Sequence, residues 1–276
     1  GLAAQACAHR QMNTTAQRTF VGKVVVVTGA SRGIGAAIAK AFATEGATVV
    51  VNYLSNAVAA EAVVAECQRL GHASGGDALP IAADVRCLGS VNAMVTQALT
   101  ELGRIDVVVN NAFSPHAFDP DNRARFWGVP WQAYQSQFDG AVLSAYNTSQ
   151  AVLPHFRQRA QGSIINMVSD LCDRPSVAYH AYTTAKSALL GFSKNLAVEL
   201  GPLGIRVNCV APGLVSPTDS SRRTKEAVKD SLVAQTPLGR VATPDDVAGP
   251  GMFLASDWSR FMTGQVLTVD GGLVMP

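Results

Sequence analysis

Residues 24–35 read Val24-Val25-Val26-Val27-Thr28-Gly29-Ala30-Ser31-Arg32-Gly33-Ile34-Gly35, and Ala36-Ala37-Ile38-Ala39 follow. A run of valines is what a strand buried on both faces requires, and the Ala-rich continuation has helical length and pattern. The glycines between them let the chain turn sharply and bring its backbone close to a ligand. A helix starting at such a turn points unpaired N–H groups and the positive end of its dipole at whatever sits there. Strand, glycine turn and helix in that order fit the phosphates of a dinucleotide better than they fit a merely structural corner.

The same alternation continues outward. Apolar runs at 24–28, 48–52, 79–82, 106–110, 163–168, 205–210 and 266–269 are separated by helical patterns at 34–45, 56–70, 90–102, 131–159, 181–200 and 244–254. Runs that stay apolar, without the alternation of a half-exposed strand, predict a parallel sheet. Right-handed strand-helix crossovers then predict an α/β fold, a single-domain Rossmann-type doubly wound sheet of about seven strands with helices on both faces. Thr243-Pro244-Asp245-Asp246 predicts the start of the last helix, with a hydroxyl N-cap, proline first and acids in the first turn. Two connections are longer than the fold needs, 113–129 and 213–240, and a short helix is predicted at 222–230 in the second. Ligands bind at the carboxyl ends of parallel strands, so these loops are expected to carry substrate specificity.

Of the 276 residues, 48% are hydrophobic and 15% charged. The average charged fraction is roughly 25%, so a disordered chain is excluded and a large core is implied. A net charge of +2 is too small to attract nucleic acid or an anionic membrane, and neither partner is expected. No apolar run approaches the about 18 residues of a membrane helix. Cys7, Cys67, Cys87, Cys172 and Cys209 form no CxxC pair, which predicts neither a disulfide framework nor a zinc site. Nor do the histidines have metal-ligand spacing: His9, His72, His116 and His155 read as loop or surface residues, and His180 lies close enough to Tyr182 to reach a substrate. No metal is expected. Residues 1–20, which contain Met12-Asn13-Thr14 in the manner of a start, are expected to be an N-terminal extension without a secretory pattern, and 21–276 the catalytic domain of a cytoplasmic protein.

Further motifs follow in order. Asp84-Val85 succeeds the third strand, Asn110-Asn111-Ala112 ends the fourth, Ser169 ends the fifth, Tyr182-Thr183-Thr184-Ala185-Lys186 opens a helix, and Pro212-Gly213 follows the sixth strand. Residues four apart share a helix face with a rise of about 6 Å, so Lys186 stands beside Tyr182. A cation there favours the phenolate and is expected to lower a pKa that is otherwise about 10.

With the TGxxxGxG spacing of Thr28 to Gly35, these motifs resemble the short-chain dehydrogenase/reductase family over 21–272, and most of all its 3-oxoacyl-acyl-carrier-protein reductases. The resemblance implies NADPH-dependent reduction of a ketone, with Tyr182 as acid, Ser169 on the carbonyl oxygen and Lys186 tuning the tyrosine while binding ribose. It also implies a cofactor site of Gly29, Ser31, Arg32, Gly33, Ile34 and Gly35, then Asn52, Tyr53 and Ser55, then Asp84, Val85, Asn111 and Ala112, and finally Tyr182, Lys186, Pro212, Gly213 and Val215. Phe113, Asp170, Cys172 and Tyr179 are the expected substrate lining. Tyr179 is a competing acid, because Tyr179 to Lys186 has the spacing of enoyl-acyl-carrier-protein reductases; the glycine motif favours Tyr182.

Phe113 replaces the family's glycine after Asn-Asn-Ala, and Ala141 aligns with its usual catalytic asparagine. Asp139, Ser144 and Asn147 are nearby substitutes for that asparagine. The second strand ends in Asn52-Tyr53 without an acid that would repel a 2′-phosphate, and Arg32 adds positive charge, so NADPH is expected over NADH. The substrate is expected to be a small molecule or an acyl thioester, with acyl carrier protein as a candidate partner. Alternatives are a sugar, steroid or xenobiotic ketone, or a cofactor-binding regulatory protein without catalysis. The apolar helices at 141–151 and 181–197 correspond, by the same resemblance, to a homodimer or homotetramer interface.

Overall fold

The computed structural model describes residues 19–275. Seven strands form one sheet: β1 (Val24–Val27), β2 (Thr48–Tyr53), β3 (Asp77–Ala82), β4 (Val107–Asn110), β5 (Gly162–Met167), β6 (Ile205–Pro212) and β7 (Val266–Val269). All neighbours pair in parallel, in the order β3-β2-β1-β4-β5-β6-β7. The order reverses between β1 and β4, and such a switch point opens a crevice at the carboxyl ends of the strands.

The valine runs serve two cores at once. Val25, Val27, Val49, Val51, Val107 and Val109 pack under α1 (Gly33–Thr44), α2 (Ala57–Gly71) and the C-terminal helix (Pro244–Ala255). Val24, Val26, Val50, Val108, Ile164 and Val207 alternate to the opposite face, under α3 (Leu88–Leu102) and residues of the two helices that follow β4 and β5. Burying each such side chain is worth about 1.5–3 kcal/mol, which is why both faces stay apolar. Phe20, at the edge of the expected extension, lies in the first core edge-on to Phe42, with ring centroids 4.8 Å apart. Residues 1–18 of that extension, with Cys7 and His9, lie outside the described residues.

Helix 131–159 is not uniform. It divides into α4 (Trp131–Phe138), a π turn at Asp139–Leu143 and α5 (Ser144–Arg159). Such a wide turn has no signature in hydrophobic periodicity, and it commonly marks a functional site. Then come α6 (His180–Leu200), α7 (Glu226–Gln235), four residues later than the 222 start expected of it, and α8 (Pro244–Ala255). The α8 start is as read: the Thr243 N–H donates to Asp246 Oδ2 at 2.7 Å.

Candidate active site

The glycine turn is held from three sides. Thr28 Oγ1 accepts from the N–H groups of Asn111 and Ala112, both at 3.0 Å, tying β1 to the end of β4. Asn111 Nδ2 donates to the carbonyls of Thr28 and Gly29 at 3.0 and 3.2 Å. Asn52 Oδ1 accepts from the Gly29 N–H at 3.2 Å, while its Nδ2 donates to the Ile81 and Ala83 carbonyls at 3.3 and 3.2 Å. Asn52 is therefore a buried brace beneath the turn, with its amide spent inside the protein, and not an open ribose contact; polarity at a strand end cannot distinguish the two. Gly29 has φ +61°, and a Cβ on Gly35 would meet the Gly29 carbonyl oxygen at 2.5 Å. Arg32 forms no side-chain cap on α1, so among the described residues the first-turn N–H groups have no side-chain partner and the cradle fits a pyrophosphate.

Arg32 does not stand free: its guanidinium donates to Asp219 at 2.5 Å, joining the glycine turn to the segment after β6, with both side chains exposed. Tyr53 is half-buried and Ser55 exposed at the end of β2. Asp84 is paired with Arg86 at 2.8 Å, which holds its carboxyl below the usual range. Val85 is buried and its carbonyl accepts from Asn147 Nδ2 at 3.0 Å. Pro212 closes β6, the Gly213 N–H donates to the Val269 carbonyl, and Val215 is buried in a bridge to Ala242. Ser31, Gly33 and Ile34 line the entry to α1 and are half-buried.

Across the crevice, Ser169, Tyr182 and Lys186 are brought together. Ser169 leaves β5 in extended backbone; its hydroxyl donates to Asp170 Oδ1 at 3.3 Å and accepts from the Leu171 N–H at 3.2 Å. Lys186 Nζ donates to the Met167 carbonyl at 2.6 Å and lies 5.8 Å from the Tyr182 ring centre. The structure corrects the expected pKa of Tyr182. Burial pushes the phenol up, outweighing the hydrogen bond with Ser169 that pulls it down. Burial also pushes Lys186 down to about 8, with no carboxylate paired to it among the described residues. Spacing along a helix reports that two groups are close, but not how much water they lose.

The lost water is displaced by the 113–129 loop. A Cβ on Gly140, in the π turn, would meet the Ser114 N at 2.2 Å, so only glycine lets the loop dock there, where Ser114 Oγ donates to the Ser136 carbonyl at 2.6 Å. The Phe118 N–H donates to the Ser220 carbonyl and its carbonyl accepts from Thr224 Oγ1 at 2.7 Å, joining the two long connections. His116 lies nearly parallel on the Tyr182 ring at 4.5 Å, and Phe113 meets the same ring edge-on at 6.2 Å. It is thus part of the site and not the surface residue that loop position suggests. Burial, with Lys186 nearby, pushes His116 down to about 4, so the imidazole is neutral. Tyr179 packs on His116 and Phe118, and burial pushes it up to about 12. Cys172 is half-buried with its thiol raised by burial. Asp170 is pushed up to about 7 by burial and by Asp270 facing it.

Ala141 is buried beside Ala145, Val168, Ala185 and Leu189. Each of the three nearby candidates for the role of the missing asparagine is engaged by a hydrogen bond: Asp139 accepts from Gln135, Ser144 Oγ donates to the Asp139 carbonyl, and Asn147 Nδ2 donates to the Val85 carbonyl. A polar chain that sequence reading missed runs close by. Thr148 donates to Asn110 Oδ1 at 2.5 Å, Asn110 to Asn166 Oδ1 at 2.8 Å, and Asn166 to Ser193 at 2.7 Å. Single polar residues inside apolar strands and helices were its only signal.

A switch-point crevice with a glycine cradle on one side and a serine, tyrosine and lysine on the other defines a dinucleotide-dependent oxidoreductase fold. The family described as Enoyl-(Acyl carrier protein) reductase matches residues 29–274, and the chain belongs to the short-chain dehydrogenase/reductase family. It is 43% identical over 254 residues to an uncharacterized oxidoreductase of Methylorubrum extorquens, covering 91% of this chain and 98% of that protein. It is 38% identical to a 3-oxoacyl-[acyl-carrier-protein] reductase of Chlamydia muridarum, covering 92% of this chain and 98% of that one. A solved 7α-hydroxysteroid dehydrogenase complexed with NADH and 7-oxo glycochenodeoxycholic acid superposes with a TM-score of 0.83 at 32% identity, over 93% of this chain and 96% of its own. The protein is an oxidoreductase of secondary alcohols and ketones.

Proposed function

We propose that the chain reduces the ketone of a 3-oxoacyl thioester, carried on CoA or acyl carrier protein, to the secondary alcohol, using NADPH. The observation that carries this reading is the convergence of Ser169, Tyr182 and Lys186 beside the glycine cradle. A nicotinamide held in the crevice would supply hydride to the ketone carbon. Ser169 Oγ holds the carbonyl oxygen, and Tyr182, kept protonated by burial, gives its proton to the oxygen as negative charge develops there. Lys186 offsets the phenolate left behind and would hold the ribose hydroxyls. Gly29, Ser31, Gly33, Ile34 and Gly35 would take the pyrophosphate, Asp84, Val85, Asn111 and Ala112 the adenosine side, and Pro212, Gly213 and Val215 the nicotinamide. A β2 end without an acid and Arg32 at the turn support NADPH over NADH.

The thioester is supported by the 38% identity to a 3-oxoacyl reductase and by exposed Arg125, Arg222 and Arg223 on the two long connections, which form no ion pair among the described residues. A second reading, a steroid or other flat apolar ketone, is supported by the aromatic lining of Phe113, Phe118 and Tyr179. Exposed Tyr146 on α5 and Val198 on α6 support a homodimer or tetramer. Oxidation of NADPH and NADH is to be followed with acetoacetyl-CoA and with sugar, steroid and simple ketones. Turnover of acetoacetyl-CoA with NADPH is expected; turnover of other ketones alone refutes the thioester, and tight NADPH binding without turnover points to the regulatory reading.

A further inference from the structure

The long loop after β4 presses a polar ring into an aromatic box. His116 is stacked on Tyr182 with planes 18° apart, and Phe118 and Tyr179 meet it edge-on at 4.8 and 4.9 Å. Its Nε2 is buried without a hydrogen-bond partner among the described residues. A buried nitrogen in that condition is a standing cost to the fold, and phenylalanine would fill the same space without it. The loop cannot readily swing the ring out, because Ser114 is docked on Gly140 and Phe118 is bonded to Ser220 and Thr224. With the loop backbone anchored, an oxygen that parts the flanking half-exposed rings beside Tyr182 would reach the nitrogen and supply the missing partner, and a neutral imidazole has both a donor and an acceptor to offer it.

We infer that His116 is a substrate-positioning residue that hydrogen-bonds a second oxygen of the substrate, close to the reacting carbonyl. The enzyme thereby selects ketones carrying that oxygen, such as the thioester carbonyl of a 3-oxoacyl group or the hydroxyl of a hydroxyketone, over ketones without one. This rests on the ketone-reductase reading of the site.

The test compares kcat/KM, with NADPH, for acetoacetyl-CoA, hydroxyacetone and cyclohexanone in the wild type, His116→Phe and His116→Gln. His116→Phe keeps a stacked ring without the polar atoms and is expected to lower the preference for the oxygenated ketone over cyclohexanone about tenfold, mainly through KM. His116→Gln, which returns an amide, is expected to regain most of it. If His116→Phe does not fold, His116→Leu gives the same ratio. An unchanged ratio, or a wild type that prefers cyclohexanone, overturns the inference. If acetoacetyl-CoA is ignored while hydroxyacetone is reduced and its preference falls in His116→Phe, the thioester reading fails and the role of His116 stands. If acetoacetyl-CoA is reduced and the ratio does not move, the reverse holds; if no ketone is reduced, both fall.

Discussion

The two sides of the crevice differ in how completely their polar groups are satisfied. On the glycine side Thr28, Asn52 and Asn111 spend their hydrogen bonds on the backbone of the turn and of the strand ends beside it, so the cradle is rigid before any ligand arrives. On the opposite side Tyr182, Lys186, His116 and Asp170 all sit where burial disfavours their charged forms, and His116 keeps a nitrogen without a partner among the described residues. One side is built to hold a constant shape and the other to be completed by what binds. Polar groups left unmet in the absence of ligand carry the specificity, because a ligand that meets them gains what the fold has forgone.

The largest expected effect belongs to the unmet side. Tyr182→Phe should lower kcat about 100- to 10,000-fold, the usual worth of a general acid, with NADPH affinity within about threefold. Tyr179→Phe, three residues earlier on the same wall, should cost less than about tenfold. Steady-state kinetics and cofactor titration of both variants decide the matter, and equal losses would remove Tyr182 from its assigned role. Next comes a break of the rigid side. A Cβ at position 35 would lie 2.5 Å from the Gly29 oxygen and 2.6 Å from Asn111 Nδ2. Gly35→Ala should therefore weaken NADPH binding at least about tenfold and destabilise the fold by roughly 1–3 kcal/mol, read by titration and urea unfolding. Unchanged binding would show that the cradle yields.

These two sides were unequally legible in the sequence. Strands and most helices followed from composition, because two buried sheet faces leave apolar runs that nothing else explains. The glycine turn was legible because glycine there is a backbone requirement stated in the residue itself. Asn52 was misplaced since a brace and a ribose contact look alike as an asparagine at a strand end. The spacing of Tyr182 and Lys186 placed them together, yet the direction of the tyrosine pKa was wrong. What decides it is a loop more than fifty positions away in sequence, folded over the phenol through Ser114 and Gly140. The π turn and the place of His116 depend on the same docking, a tertiary event with no periodicity to betray it.

A third measurement asks whether the unmet side destabilises the protein. Asp170 is raised from 3.8 to about 7 by burial first and Asp270 second, against the Ser169 hydroxyl, the Leu171 N–H and Arg174, which pull the other way. Between those two values the folded chain keeps a proton that the unfolded chain has released. Stability should therefore fall as pH rises from about 4 to 7 and stay at the lower level above it. Asp170→Asn removes the titration, so its advantage over the wild type should grow across that window and be constant at higher pH. A shift of about three pH units sets a ceiling of roughly 4 kcal/mol, and urea midpoints at pH 5 and 8 give the difference. A variant equally affected at both values would mean that Asp170 is ionised throughout.

The smallest effect lies where the two sides meet. Arg32 belongs to the rigid turn and Asp219 to the loop segment that packs on the aromatic box, and their exposed ion pair is the link. Exposed pairs contribute little to stability, about 0–1 kcal/mol, so neither Arg32→Ala nor Asp219→Asn should shift the melting temperature by more than a few degrees. Their effects on cofactor choice should be opposite in sign. Arg32→Ala removes the charge that would meet a 2′-phosphate and should lower the NADPH over NADH preference about tenfold. Asp219→Asn frees that same charge from its competitor and should raise NADPH affinity by about two- to threefold, falling as salt screens the contact. Titrations of both variants with both cofactors at low and high salt separate a guanidinium that reads the cofactor from one that only ties the loop down: if both variants move the preference in the same direction, Arg32 is a tie alone.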